Sequence, residues 1–221
     1  MSGDSKELTD FDGTARLFPL PNLVLFPGVV QGLHIFEPRY RQMTADALAG
    51  DGLITLVALR PGWERDYEGR PAIESVGCLG RIVWHERLID GRYNLRLRGL
   101  ARVRILEEVP SDRLYRVARV EVIPETAPCD LAELKALRRN LAEVALPRFA
   151  DEPAAHRQVQ ELFDSDLPLG PLCDILLYAM PLPVEFKQAM LEEADAARRA
   201  TALTDLLRPR PSWFPPSFSE N

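Results

Sequence analysis

The side chains that could do acid–base, covalent or metal chemistry are few here, and they are scattered. His34, His85 and His156 stand alone, with no H-E-x-x-H and no other pair at ligand spacing. His85 adjoins Glu86, but neighbours in an extended segment point to opposite faces and make poor acid–base partners. Of the three lysines, Lys6 lies near the N-terminus, and Lys135 and Lys187 fall on polar helix faces, so no serine–lysine dyad is indicated. Cys78, Cys129 and Cys173 are odd in number and form no C-x-x-C, which points away from a disulfide framework and from a zinc site. Neither G-x-x-x-x-G-K-[ST] nor G-x-G-x-x-G after a strand occurs. The reading is a chain with no catalytic residue, no metal site and no cofactor site.

Two features could instead carry binding. The first is the pair Trp63 and Tyr67, set among prolines and charges in the loop of residues 60–71. Exposed aromatics of this kind mark recognition surfaces, and Trp213, Phe214 and Phe218 in the C-terminal tail are of the same type. The bland alternative is that these rings fold back and cover the core. The second feature is an arginine stripe. Arg92, Arg96, Arg98, Arg102 and Arg104 are expected to project away from the face of Tyr93, Leu95 and Leu97. Guanidinium groups clustered on a β surface grip phosphates or carboxylates bidentately. The bland alternative is a solvated face, partly neutralised by Glu86, Glu107, Glu108 and Glu121.

The elements that must position these residues change character once along the chain. Residues 17–40 are apolar and rich in proline. Residues 23–26 and 29–36 read as extended runs on either side of a Phe26-Pro27-Gly28 turn, which predicts the first strand pair of a β core. A helix is predicted from Pro38 to Ala49, closed by Gly50-Asp51-Gly52. Residues 53–59 read as a strand buried on both faces, and residues 76–84 as another. Asp90-Gly91 marks a hairpin, Gly99-Leu100 breaks the strand beyond it, and a last strand covers residues 115–123. About six strands and one helix predict a small, closed or nearly closed β-barrel. After the prolines at 124 and 128 the period is helical. Leu131, Leu134, Leu137, Leu141 and Val144 form one apolar stripe that Pro147 ends. Asp151 is the expected cap of a second helix, and Gly170-Pro171 opens a third. Pro183 opens a region running to Leu207, which either breaks at Asp195 or runs through.

The class is therefore α+β. The expected division is a disordered lead-in at 1–14, a β-barrel subdomain at 15–125, a helical bundle at 126–208 and a proline and aromatic tail at 209–221. The 221 residues carry a net charge of −6 and a pI near 5.2, which argues by bulk charge against nucleic acid as a partner. No signal peptide is visible at the N-terminus. The apolar stretch 172–180 contains Asp174 and is too short to span a bilayer. A cytoplasmic location without membrane contact is expected.

Several motifs then fall in a recognisable order. They are Leu17-Phe-Pro-Leu20 with Val24-Leu-Phe-Pro-Gly28, Phe36-Glu-Pro-Arg-Tyr-Arg41, Val76-Gly77 with Gly80-Arg-Ile82, and Asp90-Gly-Arg-Tyr93. Gly99-Leu100 with Arg102-Val-Arg-Ile105 follows, and Leu182-Pro-Val-Glu-Phe-Lys-Gln188 through Leu206-Leu207 closes the series. Together, over residues 16–207, the chain resembles the N-terminal substrate-binding domain of Lon proteases, and specifically its free-standing bacterial versions. The resemblance implies a PUA-like barrel packed on a C-terminal helical bundle, with a break near Asp195. It implies capture of unfolded or partner polypeptides without an ATPase or peptidase, since the sequence given stops at Asn221. It supplies no catalytic residue. Two other functions stay open. One is RNA or nucleotide-phosphate binding through the arginine face. The other is an assembly or adaptor role in a separately encoded protease or chaperone complex.

Overall fold

The computed structural model describes residues 8, 11–67, 69–128 and 130–209. The tail aromatics, Cys129 and most of the lead-in lie outside them. Six strands come first: β1 (Thr14–Leu20), β2 (Val30–Ile35), β3 (Leu53–Ala58), β4 (Val76–Arg87), β5 (Tyr93–Val109) and β6 (Arg116–Ile123). Helix α1 (Pro38–Ala49) sits between β2 and β3. Five helices follow: α2 (Leu131–Ala145), α3 (Pro153–Asp164), α4 (Leu169–Ala179), α5 (Val184–Glu192) and α6 (Ala196–Leu207). Among the described residues no helix is long and apolar enough to cross a membrane.

The strands form one sheet in the order β2-β5-β4-β3-β1-β6, and β6 pairs back onto β5. The circuit β5-β4-β3-β1-β6 thus leaves no free edge within itself, and β2 extends it from β5. Each strand of the circuit sends alternate residues into one core: Leu17 from β1, Val57 from β3, Leu79 from β4, Val103 from β5 and Val120 from β6. The opposite set, including Phe18, Leu56, Cys78 and Leu97, packs with α1 and the later helices in a second, larger core. Strand β3 is buried at every position because it serves both.

One expectation needs correcting. Residues 23–26 are not a strand, and β1 and β2 do not pair. The first strand is Thr14–Leu20, with Pro19 inside it. Pro19 is tolerated because β6 pairs only Thr14 to Leu17, while β3 pairs the stretch beyond on the other edge. The carbonyl of Pro19 faces away from β3 and accepts the Tyr40 hydroxyl at 3.2 Å. The missing N–H lies on that same edge, where no strand needs it. Val24, Leu25 and Phe26 are buried as a loop instead. That loop turns at Gly28, whose φ is +78°, and is fastened across β5. Gly28 N–H donates to Gly99 O at 2.9 Å, and Gly99 N–H donates to Val29 O at 2.9 Å. A Cβ on Gly99 would collide with the Phe26 carbonyl, so the close approach requires glycine there.

The helices follow their local chemistry. Asp130 caps α2 through Ala132 N–H at 2.8 Å. Asp195 caps α6 through Ala197 N–H at 2.8 Å and Arg198 N–H at 3.2 Å, so the last region breaks into two helices. Asp151 does not cap α3, which starts from Glu152 with Pro153 in its first turn. A proline at that position needs no N–H acceptor, so the side-chain cap is dispensable.

Candidate functional site

The loop that follows β3 is held shut at its base. Arg60 N–H donates to Ala72 O and Glu74 N–H to Ala58 O, each at 2.9 Å. Between them a short helical turn, Trp63–Asp66, presents the two aromatics. Their rings meet edge to face with centroids 5.5 Å apart. Tyr67 is fixed to the start of α1: its hydroxyl donates to Glu37 Oε1 at 2.8 Å. Glu37 Oε2 accepts from Arg39 Nε at 2.9 Å, and the Arg39 guanidinium lies 4.8 Å from the Tyr40 ring and 5.3 Å from the Tyr67 ring. Burial, and then the bond to Glu37, raise the Tyr67 phenol above its ordinary value. Tyr67 is therefore an anchor, and Trp63 is the half-buried ring it braces.

Trp63 lines a groove of about 370 Å³ between this loop and α5. Leu59, Pro61, Val184 and Ala189 give it an apolar lining, and four glutamates stand on it. The groove thus lies where the sheet meets the helices. On the far side of Tyr67 a second cavity of about 240 Å³ is lined by Arg39, Arg70, Arg113 and Arg116. Their charges are matched by Glu37, Glu108 and Asp46, through contacts that include Arg39–Glu37 at 2.9 Å, Arg70–Glu108 at 3.1 Å and Arg113–Asp46 at 3.0 Å.

The arginine stripe does not form one face. Arg92 pairs with Asp90 at the hairpin tip, at 2.5 Å. Arg96 is exposed and covers the Trp84 ring at 5.5 Å, Arg98 is half-buried, and Arg104 is exposed. Arg102 is 3% exposed. The reason is a bulge. Leu79 opposes Ala101 and Gly80 opposes Gly99, so Leu100 is an extra residue that inverts the alternation of β5. Beyond it the even-numbered side chain of Arg102 turns inward, toward the helices. Gly99-Leu100 was the sequence signal for this change, and alternation cannot be carried across it.

Arg102 meets a set of partners that the sequence did not bring together. Its Nη1 and Nη2 donate to Asp174 of α4 at 3.0 and 2.6 Å, and its Nε donates to Leu191 O of α5 at 3.1 Å. Asp174 also lies 3.4 Å from Nε of the fully buried Arg199 on α6, and Arg199 pairs with Glu125 after β6. Two cations and two carboxylates thus bind sheet to helices. The sequence signal was Asp174, the lone charge in an apolar helix.

With this geometry in view, the comparisons with known proteins identify the family. Residues 14–208 match the model of the ATP-dependent protease La (LON) substrate-binding domain, and the chain belongs to that family. It is 31% identical over 198 residues to Lon protease 2 of Myxococcus xanthus, a match that covers 90% of this chain and 24% of that protein. It is 29% identical to the Lon protease of Anaeromyxobacter dehalogenans (strain 2CP-C), covering 90% of this chain and 23% of the relative. The chain thus spans about a quarter of the length of these relatives. The fold matches the N-terminal domain of a Mycobacterium avium complex Lon protease, with a TM-score of 0.67, 21% identity, and coverage of 88% of this chain and 97% of that one. It also matches a Lon N-terminal domain protein from Xanthomonas campestris, with a TM-score of 0.63, 25% identity, and coverage of 87% and 97%.

Proposed function

We propose that residues 14–208 are a non-catalytic polypeptide-binding module, built as a PUA-like β-barrel closed against a C-terminal helical bundle. The observation that carries the reading is the family match over nearly the whole described chain. The groove between the Trp63 turn and α5 supports it, since a braced aromatic in a cleft with apolar walls and a polar rim is the usual anchor of a peptide interface. Unfolded or partner polypeptides in the cytoplasm are the ligands this reading assigns. ATP hydrolysis and peptide cleavage would fall to machinery outside residues 14–208. The test is fluorescence anisotropy of a labelled, permanently unfolded protein such as carboxymethylated lactalbumin. Saturable binding is expected, and Trp63→Ala should weaken it on the order of tenfold. Binding that is unchanged in Trp63→Ala would remove this groove as the site.

A further inference from the structure

The same groove is charged in one sense only. Glu64, Glu74, Glu185 and Glu192 line it, and among the described residues no lysine or arginine does. Arg60 lies 3.4 Å from Glu74, and the amide of Gln188 bonds Glu192. Gln188 belongs to the wall of this groove. It is 6% exposed, and it lines the groove between Glu185 and Glu192. Its Nε2 donates to Val76 O at 3.1 Å and to Glu192 Oε1 at 2.9 Å. Turning the amide over would set an oxygen against both acceptors, so the orientation is fixed. Oε1 then has no donor among the described residues. The atom is enclosed, so a ligand in the groove meets the glutamates and not this oxygen. Asn22, on the same groove, is the non-glycine residue with positive φ among those described, at 56°. An asparagine tolerates that region, here in a turn after β1.

We propose that this groove selects polypeptide segments bearing arginine beside apolar residues, an inference that rests on the polypeptide-binding reading. The guanidinium stacks on Trp63 within the ring of glutamates. Arginine fits better than lysine because its plane lies flat on an indole and its fork offers several donors at fixed angles. The neighbouring residues of the segment rest on Val184 and Ala189.

The experiment compares three labelled twelve-residue peptides, identical in their leucine and phenylalanine content, with arginine, glutamine or glutamate at the centre. Anisotropy is read for the parent chain, Trp63→Ala, and the double variant Glu64→Lys with Glu185→Lys. Both changes are at the surface, and circular dichroism checks the fold. The arginine peptide is expected to bind about tenfold tighter than the glutamine peptide, and the glutamate peptide weakest. The double charge reversal should abolish or invert that order, and added salt should compress it. If all three peptides bind alike and only Trp63→Ala weakens them, the arginine preference is wrong and polypeptide binding at this groove stands. If neither peptides nor unfolded protein bind at any charge, the polypeptide reading falls and takes this inference with it.

Discussion

Cys78 and Cys173 show how burial sets chemistry at the scale of one residue. Each is enclosed, and desolvation pushes each thiol up to about 12. The thiolate is the reactive form, so both should be inert in the folded chain. In a Cys129→Ser background, a thiol reagent such as DTNB is expected to modify neither until the protein is unfolded; rapid reaction at neutral pH would contradict this. The same shift fixes a pH dependence. An unfolded thiol ionises near its ordinary 9.0 while the folded one keeps its proton. The stabilisation is whole below that value and is lost as pH rises toward about 12. Urea midpoints should therefore fall on the alkaline side, and less so in Cys78→Ala with Cys173→Ala. Tyr40, raised by burial, acts in the same direction in both proteins. Gly28 is the other single-residue constraint. A β-branched side chain at its φ of +78° should cost about 1–2 kcal/mol. Gly28→Val is thus expected to lower the melting temperature by several degrees, and a melt that overlays the parent would show the turn relaxing to another geometry.

Between elements, an ionic cluster joins the sheet to the helices beside the apolar core. Arg102 on β5, Asp174 on α4 and Arg199 on α6 are nearly or wholly buried. The Glu125 carboxylate packs against Gly170 of α4, where a Cβ would push it aside. Removing one charge leaves the others in a low dielectric without compensation. Asp174→Asn should therefore destabilise by about 3–5 kcal/mol in urea unfolding, a large part of the total for a domain. The paired replacement Arg102→Met with Asp174→Leu is expected to cost much less than the single change. Equal losses would mean that packing, not charge, is what the site supplies. How legible this was depended on the element. Asp195 marked one of two readings of the last region, while the apolar run of β3 announced burial on both faces, because that signal is local. Arg102 gave no such signal, because one extra residue at Leu100 inverted the alternation of β5. Strand β1 was hidden as well: Pro19 lies inside it because its N–H side is unpaired, and sequence does not show which edge of a strand is open.

For the whole molecule, the groove illustrates what no local pattern carries. Trp63 was visible as an exposed-looking aromatic, but Glu185 and Gln188 join it only after the sheet and α5 have met. That meeting also bears on how the chain folds. One apolar core runs from Phe18 and Phe26 through Cys78 and Leu97 to Leu172, Leu176, Leu203 and Leu207. The outer face of the sheet is thus completed by the later helices, and Arg102 is neutralised only by residues beyond β6. A fragment ending at Pro124 would expose that apolar face to water and leave the Arg102 guanidinium without its carboxylates. The full chain is expected to melt in one transition, with helical ellipticity and aromatic signals coincident. The fragment is expected to bind the dye ANS and to lose structure gradually on heating. A fragment that melts sharply, with a fixed near-ultraviolet spectrum, would show that the strand circuit and its inner core of Leu17, Leu79 and Val103 are sufficient alone. The helices would then be an attachment to the sheet, and Asp174→Asn should leave the melting of the strands untouched.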